Sequence, residues 1–240
     1  MHLIIYLYLL NNNLNHKNNM SVDSVKVVLV GEAGVGKTSI IHQFTYHKFD
    51  PDCVSSISAQ FISKTLDFEG LGAIKFDIWD TAGQEKYRSM AKIFYKDAKV
   101  IILVYDITSE PSFDGIKTYW YEQTKINCEK DIIFAVVANK TDLYDNQQIS
   151  DEVGQKFADD IGAIFQTTSA LSDTGIGNLF DHIGRKCIDP DYDYKESDNK
   201  LKANYIKKKN KEKNQKEDEG RVKLDGKNSD NNGGKKGCCG

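Results

Sequence analysis

The sequence is short of cysteine, and short of anything that reads as a targeting segment. Leu3 to Leu10 is apolar but only eight residues long, against the ~20 that a membrane-spanning helix takes. It has no basic n-region and no small-residue cleavage site, so a secretory signal peptide is not supported. Asn11, Asn12, Asn13, Asn15, Asn18 and Asn19 follow it, and Met20 sits just ahead of the first patterned segment. Residues 1–20 are therefore expected to be a disordered extension or a mis-called start, and carry no assigned function. The five cysteines are Cys53, Cys128, Cys187, Cys238 and Cys239. None forms a CxxC pair or has histidines at zinc spacing, which argues against a disulfide scaffold or a structural metal. Cys187 has the spacing of a buried helix position. No internal repeat is found.

What is present suits a soluble protein: 40% hydrophobic and 28% charged residues in a chain of 240. That length holds one α/β domain with a good core and a remainder. The net charge of −3 hides an asymmetry. Residues 195–240 hold 14 Lys/Arg and 8 Asp/Glu, a net of +6, which leaves −9 for residues 1–194. A basic tail on an acidic body points to an anionic surface as partner, and not to nucleic acid read by the fold.

Gly31-Glu32-Ala33-Gly34-Val35-Gly36-Lys37-Thr38 fits G-x-x-x-x-G-K-[ST], the phosphate-cradling P-loop pattern. It follows a strand-like run, Val25–Val30, and precedes a helix-like stretch, Ser39–Tyr46. Glycines let backbone N–H groups turn toward phosphate oxygens, and the helix N-terminus adds a favourable dipole. Lys37 brings positive charge to the β/γ-phosphates, and the Thr38 hydroxyl is placed for Mg²⁺. The motif implies a nucleoside triphosphate with Mg²⁺. It does not name the base.

Apolar runs alternate with helical patterns from Val25 to Ile188. Ala59–Phe68 and Ala73–Trp79 read as strands joined by a Gly70/Gly72 turn. Val100–Tyr105 and Ile132–Ala138 are nearly continuous apolar runs, suited to central strands covered on both faces. A helix bearing Phe113, Ile116 and Trp120 lies between them. Ile164–Thr168 is a last short strand, and Ile176, Leu179, Phe180, Ile183 and Cys187 share one helix face. The expected fold is α/β, a six-stranded, mostly parallel sheet with helices on both faces. Ligands of such sheets bind at the carboxyl ends of the strands. After Pro190 large apolar residues become scarce, and a flexible tail over 191–240 is expected.

Further motifs fall just after strands. Asp80-Thr81-Ala82-Gly83-Gln84-Glu85 supplies a carboxylate for Mg²⁺ at Asp80, a backbone N–H at Gly83 able to approach a γ-phosphate, and a side chain at Gln84 able to orient an attacking water. Asn139-Lys140-Thr141-Asp142 follows the next long strand. The Asp142 carboxylate can accept from both N1–H and the 2-amino group of guanine. Adenine offers neither donor and would leave the carboxylate unpaired. Asn139 braces the loop, the Lys140 stem can lie over the ring, and after Thr168-Ser169-Ala170 the Ala170 N–H can bond guanine O6.

With GEAGVGKT, WDTAGQE, NKTD and TSA in this order, the chain resembles the Ras superfamily of small GTPases over about Val25 to Cys187. Phe76-Asp77-Ile78-Trp79, Lys86-Tyr87-Arg88-Ser89-Met90, Phe94-Tyr95-Lys96-Asp97-Ala98 and Leu103-Val104-Tyr105-Asp106-Ile107-Thr108 make it resemble the Rab family within it. The resemblance implies a Ras-like P-loop fold over residues 21–190. It implies a GTP/GDP switch whose loops order around the γ-phosphate and relax after hydrolysis. It adds Ser39 to the nucleotide contacts, Phe49 stacked edge-on against guanine, and Ser56 as nucleotide and Mg²⁺ ligand beside Thr38 and Asp80. It makes Phe61, Trp79 and Phe94 an aromatic patch read by effectors, for which ordinary core packing is an equal alternative. The implied partners are an exchange factor, a GTPase-activating protein, effectors, a prenylation escort and a GDP-dissociation inhibitor, acting on a monomeric domain.

Three positions depart from the family pattern. Switch I usually reads Thr-Ile-Gly, but here it is Ser56-Ile57-Ser58. Ser56 keeps the hydroxyl and loses a methyl that restrains the rotamer, and Ser58 restricts backbone that glycine leaves free. Leu171 stands where a Lys is usual, which removes a contact near the base. Ala33 occupies a P-loop position where a side chain can obstruct an activating protein. The chain ends Lys235-Lys236-Gly237-Cys238-Cys239-Gly240. Gly237 occupies the place a C-a-a-X cysteine would need, and the paired terminal cysteines look like the Rab type of double geranylgeranylation. Two lipids anchor stably where one holds marginally, and Lys207-Lys208-Lys209 and Lys235-Lys236 would assist at an anionic leaflet. The expectation is a Rab-type traffic GTPase on the cytoplasmic face of endomembranes with a cytosolic pool, endosomal by overall similarity. The alternatives are a membrane-tethered guanine-nucleotide-binding scaffold with poor switching, motivated by Ser56 and Ser58, and a P-loop kinase or ATPase, which Asp142 disfavours.

Overall fold

The computed structural model describes residues 23–51, 60–80, 94–128 and 131–200. Its centre is a six-stranded sheet in the order β2-β3-β1-β4-β5-β6. The strands are β1 Asp23–Val30, β2 Gln60–Phe68, β3 Gly72–Asp80, β4 Val100–Asp106, β5 Ile133–Asn139 and β6 Ile164–Thr168. β1 runs parallel to β3 and β4, β4 to β5, and β5 to β6. Only β2 is antiparallel, paired with β3 from Gln60↔Asp80 to Phe68↔Gly72. The Gly70/Gly72 hairpin and the mostly parallel sheet are as the sequence pattern predicts.

Composition explains the strand positions. Every residue of β4 is buried, and so are the last five of β5, because helices cover both faces and leave no solvent side for polar residues. On one face α1 (Lys37–Tyr46) and α5 (Ile176–Ile188) pack together. There Phe44 stacks on Phe180 with ring centroids 3.6 Å apart, and Phe76 meets both edge-on. The other face carries α2 (Glu110–Gly115), which continues through a π-helical turn (Ile116–Trp120) into α3 (Tyr121–Asn127). Phe113, Ile116 and Trp120 enter the core here, with Phe157 and Ala158 of α4 (Asp151–Asp160). Ser109 caps α2 by accepting from Ser112 N, and a proline in the first turn costs no hydrogen bond there. Cys187 is half-buried where full burial was expected.

The five parallel strands all end at one edge of the sheet. β3, β4, β5 and β6 finish there on Asp80, Asp106, Asn139 and Thr168, four polar residues that close apolar runs. All four are buried. A buried polar group must be partnered, so this edge is where a site is to be sought.

The described residues after Pro190 make local contacts and a short helix. Tyr192 hydroxyl lies 2.9 Å from His182 Nδ1, and Lys186 Nζ donates to the Tyr192 carbonyl at 3.0 Å. From Asp193 a separate unit begins, in which 194–200 is helical because Asp193 Oδ1 accepts from Lys195 N at 2.8 Å and caps the first turn. No helix among the described residues is long and apolar enough to cross a membrane.

Gly184 marks a close approach between α5 and the sheet. A Cβ built there lies 2.0 Å from Cζ of Phe68, a buried ring. Glycine to alanine in a helix gains about 1 kcal/mol of propensity, whereas overpacking costs about 1–3 kcal/mol. Gly184→Ala should therefore lower the urea unfolding midpoint, and the same substitution should be neutral or stabilising in a Phe68→Leu background. A higher midpoint for Gly184→Ala alone would contradict this packing.

Candidate functional site

The loop from Gly31 to Gly36 leaves β1 at the polar edge and turns into α1. Gly31 has φ 148°, and a Cβ there would lie 2.2 Å from the Val104 carbonyl oxygen of β4. The loop can pass that close to the strand only without a side chain. Gly36 has φ 97° and occupies the N-cap position of α1, which has no side-chain cap. The first N–H groups of α1 thus point into the loop with the positive end of the helix dipole behind them, the electrostatic form of an anion site.

Lys37 opens α1 and is 5% exposed. Its Nζ donates to the carbonyls of Gly31 and Glu32, both at 2.8 Å, so the loop wraps around its ammonium. Burial pushes the Lys37 pKa down to about 8, against the Asp80 and Glu32 carboxylates that favour its charge. A cation held so far from water gains much from an arriving phosphate.

Thr38 Oγ1 donates to Asp80 Oδ2 at 2.6 Å, which joins α1 to the end of β3. A hydroxyl and a carboxylate at that separation are oxygen donors of the kind Mg²⁺ takes in phosphate sites, where substrate phosphates and water complete its shell. The residues present fit that ion. Ser56, the third expected ligand, lies outside the described residues, as do Ser58, Gly83, Gln84, Cys238 and Cys239.

The far end of the site is built on β5 and β6. Asn139, 1% exposed, donates from Nδ2 to the Val35 carbonyl of the P-loop at 2.8 Å and accepts from Thr168 Oγ1 at 3.0 Å. Lys140 follows with φ 70°, and its Nζ lies 2.7 Å from Asp106 Oδ2. Asp142 is exposed, and Ser169 Oγ donates to its Oδ1. Ser169 pairs with Thr174 in an isolated bridge, which turns the loop so that buried Ala170 reaches the same place.

The P-loop glycines and the loops after β5 and β6 enclose one cleft of about 290 Å³, and Lys37, Thr38 and Asp80 are not among its lining residues. It is lined by Gly34, Gly36 and Ser39 at the phosphate end, by Phe49 and Pro51 on one side, and by Asn139, Lys140, Asp142 and Ala170 beyond. Leu143 and Leu171 line it too, and Leu171 is 57% exposed. Ala33 is exposed on the P-loop and is not among the lining residues. Phe61, Trp79 and Phe94 lie apart from the cleft as a row, with centroids 5.1 Å and 5.9 Å apart. Phe61 is 53% exposed, and Trp79 and Phe94 rest partly buried against the core.

Two partners of the site escaped the motif reading. Asp106 holds Lys140, and its signal was present: a charged residue closing the otherwise apolar strand VIILVYD. Trp120 donates from Nε1 to Glu32 Oε1 at 3.0 Å. A contact across 88 residues to a helix-buried tryptophan leaves no pattern in one sequence.

Known proteins resemble this chain in sequence. The model of the Ras family matches residues 26–189. Over 163 residues the chain is 40% identical to the Ras-related protein RabJ of Dictyostelium discoideum, which covers 68% of this chain and 63% of RabJ. Over 167 residues it is 38% identical to Rab-22A of Homo sapiens, covering 70% of this chain and 85% of that protein. Over 160 residues it is 39% identical to Rab-8B of Pongo abelii, with 67% and 76% covered. The chain thus spans just under two thirds of RabJ and more of the other two.

Proposed function

The chain belongs to the Ras family of small GTPases, and from that premise we propose that it is a Rab-type GTP/GDP switch that hydrolyses GTP and acts in membrane traffic. The observation that carries the proposal is the single cleft running from the P-loop glycines to Asp142. Its lining residues suit a guanine nucleotide, with phosphates on the α1 N-terminus and the base between the Lys140 stem and Phe49.

In hydrolysis a water oxygen attacks the γ-phosphorus, the bond to the β–γ bridging oxygen breaks, and GDP and inorganic phosphate result. Gln84 orients the water, and the Gly83 N–H meets a γ-phosphate oxygen. Lys37 holds its charge beside the oxygens on which negative charge collects, where preorganisation contributes most. Thr38, Asp80 and Ser56 would hold Mg²⁺, which when bound would neutralise phosphate charge. At the other end Asp142 selects guanine by accepting from N1–H and the 2-amino group, aided by its bond from Ser169 and by the Ala170 N–H at O6.

Rab relatives support partners of the general kinds: exchange factors, activating proteins, effectors and dissociation inhibitors. The Phe61–Trp79–Phe94 row suits effectors, since an exposed aromatic beside two half-buried ones offers area at little entropic cost. Cys238 and Cys239 would carry geranylgeranyl groups that hold the protein on the cytoplasmic face of an endomembrane, endosomal being the expected compartment.

Gln84→Leu should slow single-turnover hydrolysis of γ-labelled GTP by about tenfold or more with GDP binding unchanged. Equal rates would remove Gln84 from the mechanism, and no hydrolysis by either protein would favour the tethered scaffold. The double change Cys238→Ser/Cys239→Ser should move the protein from the membrane to the soluble fraction of a cell lysate. Unchanged partition would exclude the terminal cysteines as the anchor.

A further inference from the structure

We propose that Asp106 is a positioning residue of the base slot, which fixes the Lys140 ammonium so that the lysine stem lies along the cleft before nucleotide arrives. The inference rests on the reading of that cleft as a guanine site. Asp106 closes β4 directly beside Asn139 in the parallel register. Its side chain is buried, with the residue 8% exposed, and both carboxylate oxygens are used. Oδ2 lies 2.7 Å from Lys140 Nζ. Oδ1 accepts from Thr108 N at 2.9 Å and Thr108 Oγ1 at 2.7 Å. The backbone beneath is fixed as well, because Asp106 N donates to Ser112 Oγ at 3.0 Å, and that hydroxyl donates to the Ser109 carbonyl at 2.7 Å.

The carboxylate is therefore held by Thr108 on one oxygen and, through the other, holds the Lys140 ammonium, whose side chain is 33% exposed. Burial alone would raise the Asp106 pKa, but the bonds from Lys140 and Thr108 outweigh it and hold the carboxyl below its usual range. The Asp106 carboxyl is thus ionised at neutral pH. An untethered lysine side chain loses much rotamer freedom when it is ordered against a ligand. Asp106 imposes that order in advance, and Lys140 enters the cleft lining already held. Binding then orders less, which is how preorganisation raises affinity. Asp106 contributes without touching the nucleotide. Both oxygens face protein donors, and Asp106 is absent from the residues that line the cleft.

The test is a double-mutant cycle on full-length protein, read as release of N-methylanthraniloyl-GDP into excess GDP. Asp106→Asn keeps an oxygen for Thr108 and loses the charge that holds Lys140. It should speed release about tenfold. Lys140→Ala should speed it at least as much, and the double variant should release no faster than Lys140→Ala. An Asp106→Asn effect of the same size in the Lys140→Ala background overturns the proposal, because a merely structural role would persist there. So does no effect of Asp106→Asn while Lys140→Ala accelerates release. If Lys140→Ala itself changes nothing, the base-slot reading fails and this inference fails with it. Should Asp106→Asn not fold, Thr108→Val loosens the same carboxylate from the surface. It should speed release about threefold, again only while Lys140 is present.

Discussion

The Asn139 side-chain amide is the interaction on which the rest of this site depends. It reaches 104 residues back to the Val35 carbonyl in the P-loop and accepts from Thr168 on the neighbouring strand. Three loops that leave separate strands are thereby held at one distance from each other. A nucleotide that needs its phosphates on one loop and its base on the others can bind only while that distance is fixed. The tie is fully buried, so neither bond competes with water, and losing either partner would leave a buried polar group unsatisfied at a cost of about 1–3 kcal/mol. Gly36 completes the arrangement, since a Cβ there would stand 2.3 Å from Asn139 Nδ2.

Around that tie the protein arranges charge that suits an anion. The α1 N-terminus is left without a side-chain cap, and the Lys37 ammonium is buried deeply enough to lower its pKa to about 8. Thr38 and Asp80 stand as an oxygen pair beside it. Each feature is unfavourable for a ligand-free fold and favourable for a bound phosphate with its cation. Beneath them the sheet supplies the rigidity, through strands whose residues are buried on both faces. The same division explains the outer links. Trp120 steadies the P-loop through Glu32, and Asp106 steadies the base loop through Lys140, so both loops lean on the α2–α3 helix and the strand before it.

Much of this was legible in the sequence, for physical reasons. Short, β-branched-rich apolar runs such as VIILVYD suit a doubly covered strand, and motif residues placed just after them mark the carboxyl edge of a parallel sheet. Gly31, Lys37, Asp80, Asn139 and Asp142 could be grouped from order and spacing alone. Contacts between side chains far apart in sequence could not. Nothing local to Asp106 announces Lys140, and nothing local to Glu32 announces Trp120. The π-helical turn at Ile116–Trp120 left no periodic trace. The helix over 194–200 was hidden by a polar composition that suits an exposed helix as well as a coil, and its cap at Asp193 is one aspartate among several.

One guanine-nucleotide site spanning the P-loop and the Asp142 loop should discriminate between purine bases. Calorimetric titration of nucleotide-stripped protein with GDP and with ADP, in Mg²⁺, tests it most directly. Both ligands offer the same phosphates to Lys37 and the α1 N-terminus, and only guanine offers donors to Asp142. GDP should bind on the order of 10⁴-fold more tightly than ADP. Comparable affinity for the two would contradict it.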